Sequence, residues 1–373
     1  MNKKIVCNTN MCTGCGACVE KCIKNAICVI DNLDSMNAVI DTDKCINCGA
    51  CFKVCPNNNS VKLRNQQIWY QGWSTDKTER RKSSSGGLAT VLSKHFVRNG
   101  GIVCSCVLEK DKCIFKFADT EDKIEFFRGS KYVKSNPLGI YKEIKRLLQE
   151  NKKILFIGLP CQVAAVNNFV GEQNCDNLYT VDLICHGTPS IELLKKYLSQ
   201  YDVSISNNIS FRSKNEFMLK VDGVPFTDGI IQDSYTISFL SALNYTENCY
   251  HCNYATEKRI GDITIGDAWG SDLNEEMDKG ISLVMCQSEK GERLIEKLPF
   301  HFEKININKA LEHNHQLRHP AAIPHDREEF FKKIKEGKSY NSVVRNIYPK
   351  LYFKYKVKKV INRISKLYFI KMK

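Results

Sequence analysis

The sequence predicts two domains of different class: a small α+β module crowded with cysteine, then a mixed, largely parallel α/β domain, followed by a basic helical tail. Three observations carry this. A run of four cysteines occurs twice within residues 1–64, short apolar strands alternate with helical periods across 86–336, and the excess positive charge lies beyond residue 330. The boundaries that follow are a module over 1–64, a linker over 65–85, the α/β domain over 86–336 and a tail over 337–373.

The first run, "MCTGCGACVEKC", spaces its thiols as Cys12-x₂-Cys15-x₂-Cys18-x₃-Cys22, and "KCINCGACFKVCP" repeats the spacing with Cys45, Cys48, Cys51 and Cys55. Disulfides are not expected. "MNKKIVCNTN" has no apolar run suited to a signal peptide, and no stretch approaches the ~20 apolar residues that span a bilayer. The 19 cysteines are an odd number, and 373 residues can bury a core without staples. A cytoplasmic location is expected, where crowded thiols mean metal or redox chemistry. Zinc ribbons use pairs of cysteines, whereas two runs of four are the bacterial two-cluster ferredoxin spacing. Three thiolates of each run reach one cubane and the fourth serves the other. Cys12, Cys15, Cys18 and Cys55 are therefore assigned to one 4Fe–4S cluster, and Cys45, Cys48, Cys51 and Cys22 to a second. Gly14, Gly16 and Gly49 let the backbone wrap closely around the sulfides. The first run ends in Cys22-Ile23 instead of Cys-Pro, but proline is no ligand. Cys7 and Cys28 fall outside the spacing and read as ordinary thiols.

"RNQQIWYQGWSTDKTERRKSSSGG" is polar, charged and serine-rich, and reads as a linker. Beyond it, "GGIVCSCVLE", "KCIFKFAD", "KKILFIGLP" and "LYTVDLICHGTPS" read as strands, with "CQVAAVNNFVG" and "IELLKKYLSQY" as helices. Strand–helix alternation means crossover units and a largely parallel sheet. "ISFRSKNEFMLKVDG" and "DITIGDAWG" add strands, antiparallel ones among them.

The chain carries 55 Lys+Arg against 41 Asp+Glu, a net of +14. Residues 331–373 hold 14 of the basic residues and one acid, Glu336, which leaves 41 against 40 for the rest. A nucleic-acid-binding domain would need a basic stripe on its folded surface, so nucleic acid is excluded as a partner. In "VKKVINRISKLYF", Val357, Val360, Ile361, Ile364 and Leu367 recur at helical spacing among lysines. Residues 345–373 thus suit an anionic membrane surface, at the inner face of a membrane, or an acidic partner. Docking of the apolar stripe onto the α/β domain is the alternative.

The motifs "SSSGGLATVL", "GSKYV", "FIGLPCQ", "DLICHGTPS", "CYHCNYATEKRIGDITIGDAWG" and "HPAAIPHDREEFF", in this order, resemble the coenzyme F(420) hydrogenase/dehydrogenase beta-subunit family, from about Ser83 to Phe331. The resemblance implies FAD and iron–sulfur clusters, hence an oxidoreductase with ferredoxin or a deazaflavin coenzyme as redox partner. It implies no particular substrate. A non-catalytic electron-relay subunit and a cluster-based redox sensor are the rival readings. There is no G-x-G-x-x-G after a strand, so a Rossmann site is not indicated.

Locally, Ser83–Gly87 precede an apolar-periodic helix, and a serine N-cap with glycines leaves N–H groups free for an anion. An ordinary capped helix is the plain alternative. The resemblance points instead to the flavin's phosphates at Ser84, Ser85, Gly86 and Gly87, to flavin contacts at Ser130, Lys131 and Tyr132, and to a site role for Asp267 and Trp269. It also allows a third 4Fe–4S cluster on Cys161, Cys185, Cys249 and Cys252; small buried hydrophobes are the alternative for Cys161 and Cys185, and a thioredoxin-like dithiol for Cys249 and Cys252. Cys104, Cys106, Cys113, Cys175 and Cys286 read as structural. His186, in "CHGTP", is the candidate proton donor, with a pKa naturally near neutrality, or else it orients the loop. His313, His315, His319 and His325 fit no zinc signature and read as structural.

Overall fold

The two cysteine runs fold alike because their residue types repeat. In the computed structural model, which describes residues 4–171, 176–203, 208–227, 232–355 and 357, a left-handed glycine opens a five-residue helix in each run. Gly16 (φ 74°) precedes Ala17–Lys21, and Gly49 (φ 71°) precedes Ala50–Val54. Cys22 and Cys55 then leave their helices in extended conformation. Between the runs, β1 (Ile27–Asp31) and β2 (Met36–Ile40) pair as an antiparallel hairpin. Met36, Ala38 and Ile40 are buried on one face of β2, the period of a half-buried strand.

The second domain is built on β3 (Ile68–Ser74), β4 (Ile102–Glu109), β5 (Lys112–Ala118), β6 (Ile154–Gly158), β7 (Leu178–Leu183), β8 (Ile209–Ser213), β9 (Glu216–Val221), β10 (Val224–Pro225), β11 (Ile263–Asp267), β12 (Ser282–Cys286) and β13 (Phe300–Lys304). Eight of these form one sheet in the order β13-β3-β12-β11-β7-β6-β4-β5. Four adjacent strands, β11, β7, β6 and β4, run parallel. β6 is buried along its whole length, as a strand covered on both faces must be. The expected largely parallel sheet is thus a parallel centre with antiparallel flanks on both sides. β8, β9 and β10 make a separate antiparallel sheet.

The expected linker over 65–85 is a second correction. Ile68–Ser74 is a strand inside the main sheet, paired with β12 on one side and β13 on the other. Lys77–Lys82 is a helix, capped by Asp76, which accepts from the Thr78 and Glu79 N–H groups. Its Arg80 is buried over the Trp73 ring and ion-paired with Glu276 at 2.5 Å.

The cysteine module is therefore not tethered loosely. Its core is continuous with that of the α/β domain: Cys15, Cys18, Ala38 and Val54 share one cluster with Tyr141, Ile144 and Phe169. Tyr141 Oη donates to the Cys15 carbonyl at 2.5 Å, Ser190 Oγ to Asp31 at 2.6 Å, and Arg327 to the Asp34 carbonyl at 2.8 Å.

The tail boundary moves as well. Helix Tyr340–Ile347 buries Tyr340, Val343 and Val344 in the α/β core, and Leu351, Tyr352 and Tyr355 pack against the same cluster. Tyr348 leaves the helical region (φ −116°, ψ 52°) just before Pro349. Of the amphipathic stripe, Val360, Ile361, Ile364 and Leu367 lie outside the described residues, as does Cys175. Among the described residues, no helix is long and apolar enough to cross a membrane.

Candidate functional site

Parallel strands deliver their next residues to one sheet edge, and sites form there. Here the carboxyl ends of β6, β7 and β11 open into a cavity of about 400 Å³, within the ~300–1,000 Å³ range of small-molecule sites. Ser84, Ser85, Gly87, Ser130, Lys131, Tyr132, Cys185, His186, Asp267 and Trp269 line it together, although they come from four separate stretches of sequence.

The 83–87 loop departs from expectation in its details. The cap of helix Leu88–Arg98 is Gly87 (φ 97°), with no side-chain cap bond. Ser83 Oγ donates to the Glu79 carbonyl and Ser85 Oγ to the Ile281 carbonyl, while Ser84 Oγ accepts from the Ser130 N–H at 3.1 Å. Leu88, Ala89 and Thr90, the first turn of that helix, line the cavity. Gly86 is not a lining residue. A Cβ there would strike the Gly72 carbonyl and the Ser282 backbone, so its role is close approach to β3 and β12. Lys131 Nζ is satisfied by the carbonyls of Phe127, Arg128 and Gly129 at 2.8–3.0 Å.

Two arginines that no sequence motif singled out complete the cavity. Arg128 pairs with Glu125 and Glu79 but leaves Nη1 buried without a partner. Arg212 forms a bidentate pair with Asp267 (2.6 and 3.1 Å), donates to the Ser84 carbonyl at 2.9 Å and lies 4.7 Å over Phe217. The only signal for Arg212 was an arginine inside "ISFRSK", a strand. Tyr132 is stacked on Phe239 (4.3 Å, 13°) and on Phe217 (6.2 Å, 14°).

His186 lines the cavity, and its side chain is exposed to it. Burial, with His315 beside it, brings its imidazole down to about 4, so it is neutral at physiological pH and not the near-neutral titrating donor expected. Gln316 Nε2 reaches His186 Nδ1 at 2.5 Å; with the amide donating, the neutral ring carries its proton on Nε2. Cys106, expected to be structural, also lines the cavity, and its hydrogen bond with Cys113, helped by the Lys131 ammonium, draws it down to about 6.

The cysteines gather in three groups. Cys12, Cys15, Cys18 and Cys55 lie within mutual electrostatic reach, and Cys51 within that of Cys45 and Cys22. Equivalent amides serve the two runs: Gly14 N–H donates to Cys12 Sγ and Asn47 N–H to Cys45 Sγ, both at 3.4 Å. Cys7, read as an ordinary thiol, is hydrogen-bonded to both Cys12 and Cys55. That bond, more than any other influence, holds Cys12 down at about 7 and Cys55 below its usual value.

Cys161, Cys185, Cys249 and Cys252 form the third group. Burial pushes Cys185 up to about 12 and raises Cys161 and Cys252. Cys249 accepts from the Thr188 N–H at 3.4 Å. The loop after it is pinned by a buried pair: Arg259 donates to Asp182 Oδ1 at 2.6 and 3.1 Å and to the Tyr254 carbonyl at 2.7 Å. Lys134, buried, donates to the Thr13 carbonyl at 3.2 Å and acts electrostatically on Cys12, Cys161 and Cys185. Tyr254 stands within reach of Cys15 and Cys55 on one side and of Cys161 and Cys252 on the other. Among the described residues, no three carboxylate, imidazole or thiol groups converge tightly enough for a single metal ion.

Three family models match the chain. Residues 69–140 match the model of the N-terminal part of the coenzyme F(420) hydrogenase/dehydrogenase beta subunit, and residues 151–306 match that of its C-terminal part. Residues 38–59 match a 4Fe–4S binding domain. No curated protein matches the chain. Among solved structures, a chain of the xenon-derivatised F(420)-reducing nickel–iron hydrogenase complex from Methanosarcina barkeri is 19% identical, with 68% of this chain and 91% of that one covered at a TM-score of 0.47. The chain carries a 4Fe–4S binding domain and belongs to the coenzyme F(420) hydrogenase/dehydrogenase beta-subunit family.

Proposed function

We propose that the chain is an iron–sulfur flavoprotein oxidoreductase that exchanges electrons between ferredoxin or a deazaflavin coenzyme and a substrate. The observation that carries this reading is the placement of the third thiol group. Cys161, Cys185, Cys249 and Cys252 adjoin the inner N-terminal group through Lys134 and Tyr254, and Cys185 also lines the cavity. Four thiols, Cys249 buried and the others partly buried, with no carboxylate among them suit a soft, thiolate-bound cluster. Two further clusters are assigned to Cys12, Cys15, Cys18 and Cys55 and to Cys45, Cys48, Cys51 and Cys22.

The cavity's residues fit FAD. Arg128 Nη1 is a buried cationic donor without a partner, and the uncapped first turn of helix Leu88–Arg98 lies beside it on the cavity wall; both favour a phosphate. Tyr132, Phe217, Phe239 and Trp269 offer flat apolar surface to a planar ring. Bound there, FAD would supply the exchange between single electrons and hydride. The chain's own part is to bind and orient. Arg212 and Asp267 fix each other at the cavity wall, and His186 holds a proton at Nε2 under the direction of Gln316.

The test is full-length protein reconstituted anaerobically with iron, sulfide and FAD, then assayed for reduction of coenzyme F(420) by reduced viologen and for the reverse reaction. Turnover that requires FAD supports the reading. Stoichiometric FAD and iron with no turnover in either direction would favour the electron-relay alternative, which the family's description as a beta subunit also favours.

A further inference from the structure

The internal duplication of the cysteine module allows its two halves to be compared position by position, and the comparison exposes a difference that cluster binding does not require. In the first half, the surface around the thiols is covered. Leu138 packs over Gly16, Tyr141 donates to the Cys15 carbonyl and Lys134 to the Thr13 carbonyl. Glu20 accepts from the N–H groups of Gly139, Tyr141 and Lys142. The module's own fold domain partner thus occupies this face.

The second half presents the equivalent positions to solvent. At Gly49, the counterpart of Gly16, an added Cβ would meet open space. Cys48 is exposed. Three stretches that carry ligands assigned to the second cluster, one of them the end of the first run, set an exposed apolar residue beside an exposed lysine: Ile23 and Lys24 after Cys22, Lys44 and Ile46 around Cys45, Phe52 and Lys53 after Cys51. Ile23 is 78% exposed, Phe52 57% and Ile46 53%. These are three of the eleven large exposed apolar side chains among the described residues, gathered within one small module. Lys4 adds a fourth ammonium, 2.7 Å from the Asn47 side chain. The acids nearby are Asp41, which pairs with Lys44 at 3.0 Å, and Asp43.

Apolar surface left open in a soluble module marks a contact site, and a lysine rim selects an acidic partner and speeds its encounter. We infer that the face formed by Ile23, Ile46 and Phe52 with Lys24, Lys44 and Lys53 is the docking surface for an acidic one-electron carrier protein. This inference rests on the reading that Cys22, Cys45, Cys48 and Cys51 hold a 4Fe–4S cluster. The carrier's centre loses one electron and that cluster gains it, with no bond made or broken. The counterpart positions of the first half, Thr13, Val19 and Glu20, face the α/β domain, so the duplicated module has one face for each neighbour.

The test uses the full-length, anaerobically reconstituted protein and a reduced acidic bacterial ferredoxin with two 4Fe–4S clusters as the probe, mixed in a stopped-flow instrument. The triple variant Lys24→Glu, Lys44→Glu, Lys53→Glu should lower the second-order rate by about tenfold or more at low ionic strength, and the difference should shrink as salt screens the charges. Phe52→Ser should slow the reaction while leaving its salt dependence in place. The triple arginine variant should keep the wild-type rate. Iron content and the rate of reduction by dithionite should be the same in all of them. Intact iron with wild-type ferredoxin kinetics in the glutamate variant overturns the surface alone. Self-association that Phe52→Ser abolishes also overturns it, since a second copy would then be the occupant. Wild-type protein without iron overturns the cluster reading, and the surface with it.

Discussion

Arg259→Met removes one partner of the most deeply buried ion pair among the described residues. Asp182 is fully buried and Arg259 is 2% exposed. The substitution deletes two hydrogen bonds to Asp182 Oδ1 and those to the carbonyls of Tyr254 and Leu183. Asp182 keeps the N–H of Gly261 at 2.8 Å and the hydroxyl of Thr264 at 2.9 Å, but its charge loses its counter-ion. Stripping one member from a buried pair costs about 3–5 kcal/mol, which corresponds to a fall in Tm of roughly 6–20 °C at ~2–4 °C per kcal/mol. Arg259 also ties the loop after Cys252 to β7, so the variant should lose third-group iron before it loses FAD. Differential scanning calorimetry of the metal-free protein reads the first effect, and iron analysis after reconstitution the second. Asp182→Asn should cost a similar amount, because an amide nitrogen would replace an acceptor facing two N–H donors. A Tm within about 2 °C of wild type for Arg259→Met would refute the reasoning.

Arg128→Met should weaken FAD binding about ten- to a hundredfold, the worth of ~1.5–3 kcal/mol for a hydrogen bond to a charged group, read by fluorescence titration of the flavin-free protein. Lys214 is drawn down to about 8 by burial and by the neighbouring Arg80 and Arg212 charges. Its unfolded form binds the proton more tightly than its folded form. Stability should therefore rise as pH increases from about 8 towards the unfolded lysine value of ~10.4, and Lys214→Met should flatten that rise in urea titrations. Removal of residues 356–373 should abolish sedimentation with anionic liposomes at low salt and spare reductase activity. A cut at 345 should also destabilise the protein, since Tyr352 and Tyr355 pack in the core. An intact chain that ignores such liposomes would discard the membrane reading.

What was legible in the sequence was local. The cysteine spacing dictates its own turns, and the duplication appears in the backbone as matching glycine-opened helices. The cavity residues Ser130, Tyr132 and Asp267 were named through motif order alone, Ser84 and His186 also through local chemistry, and the sheet brings them together. What was missed depends on distant partners. "IWYQGWS" reads as linker because Gln71 and Ser74, polar but buried, break its apolar pattern and charged residues follow; its neighbours β12 and β13 arrive some two hundred residues later. Serines 83 and 85 suggested a helix cap, but their hydroxyls go to the Glu79 and Ile281 carbonyls. His186 looked like a titrating group because enclosure by Gln316 and His315 is invisible in "CHGTP". Arg128 and Arg212 carried no spacing signal; only the cavity identifies them.

The most direct test of the account is the iron and flavin content of the full-length chain after anaerobic reconstitution, for the wild type and for Cys249→Ser. The account predicts about twelve irons and one FAD per wild-type chain, at about four irons per cubane. In Cys249→Ser it predicts about eight irons, with the N-terminal cluster signals in the electron paramagnetic resonance spectrum and the FAD both retained. Eight irons in the wild type, unchanged by Cys249→Ser, would contradict it and leave Cys161, Cys185, Cys249 and Cys252 as structural thiols.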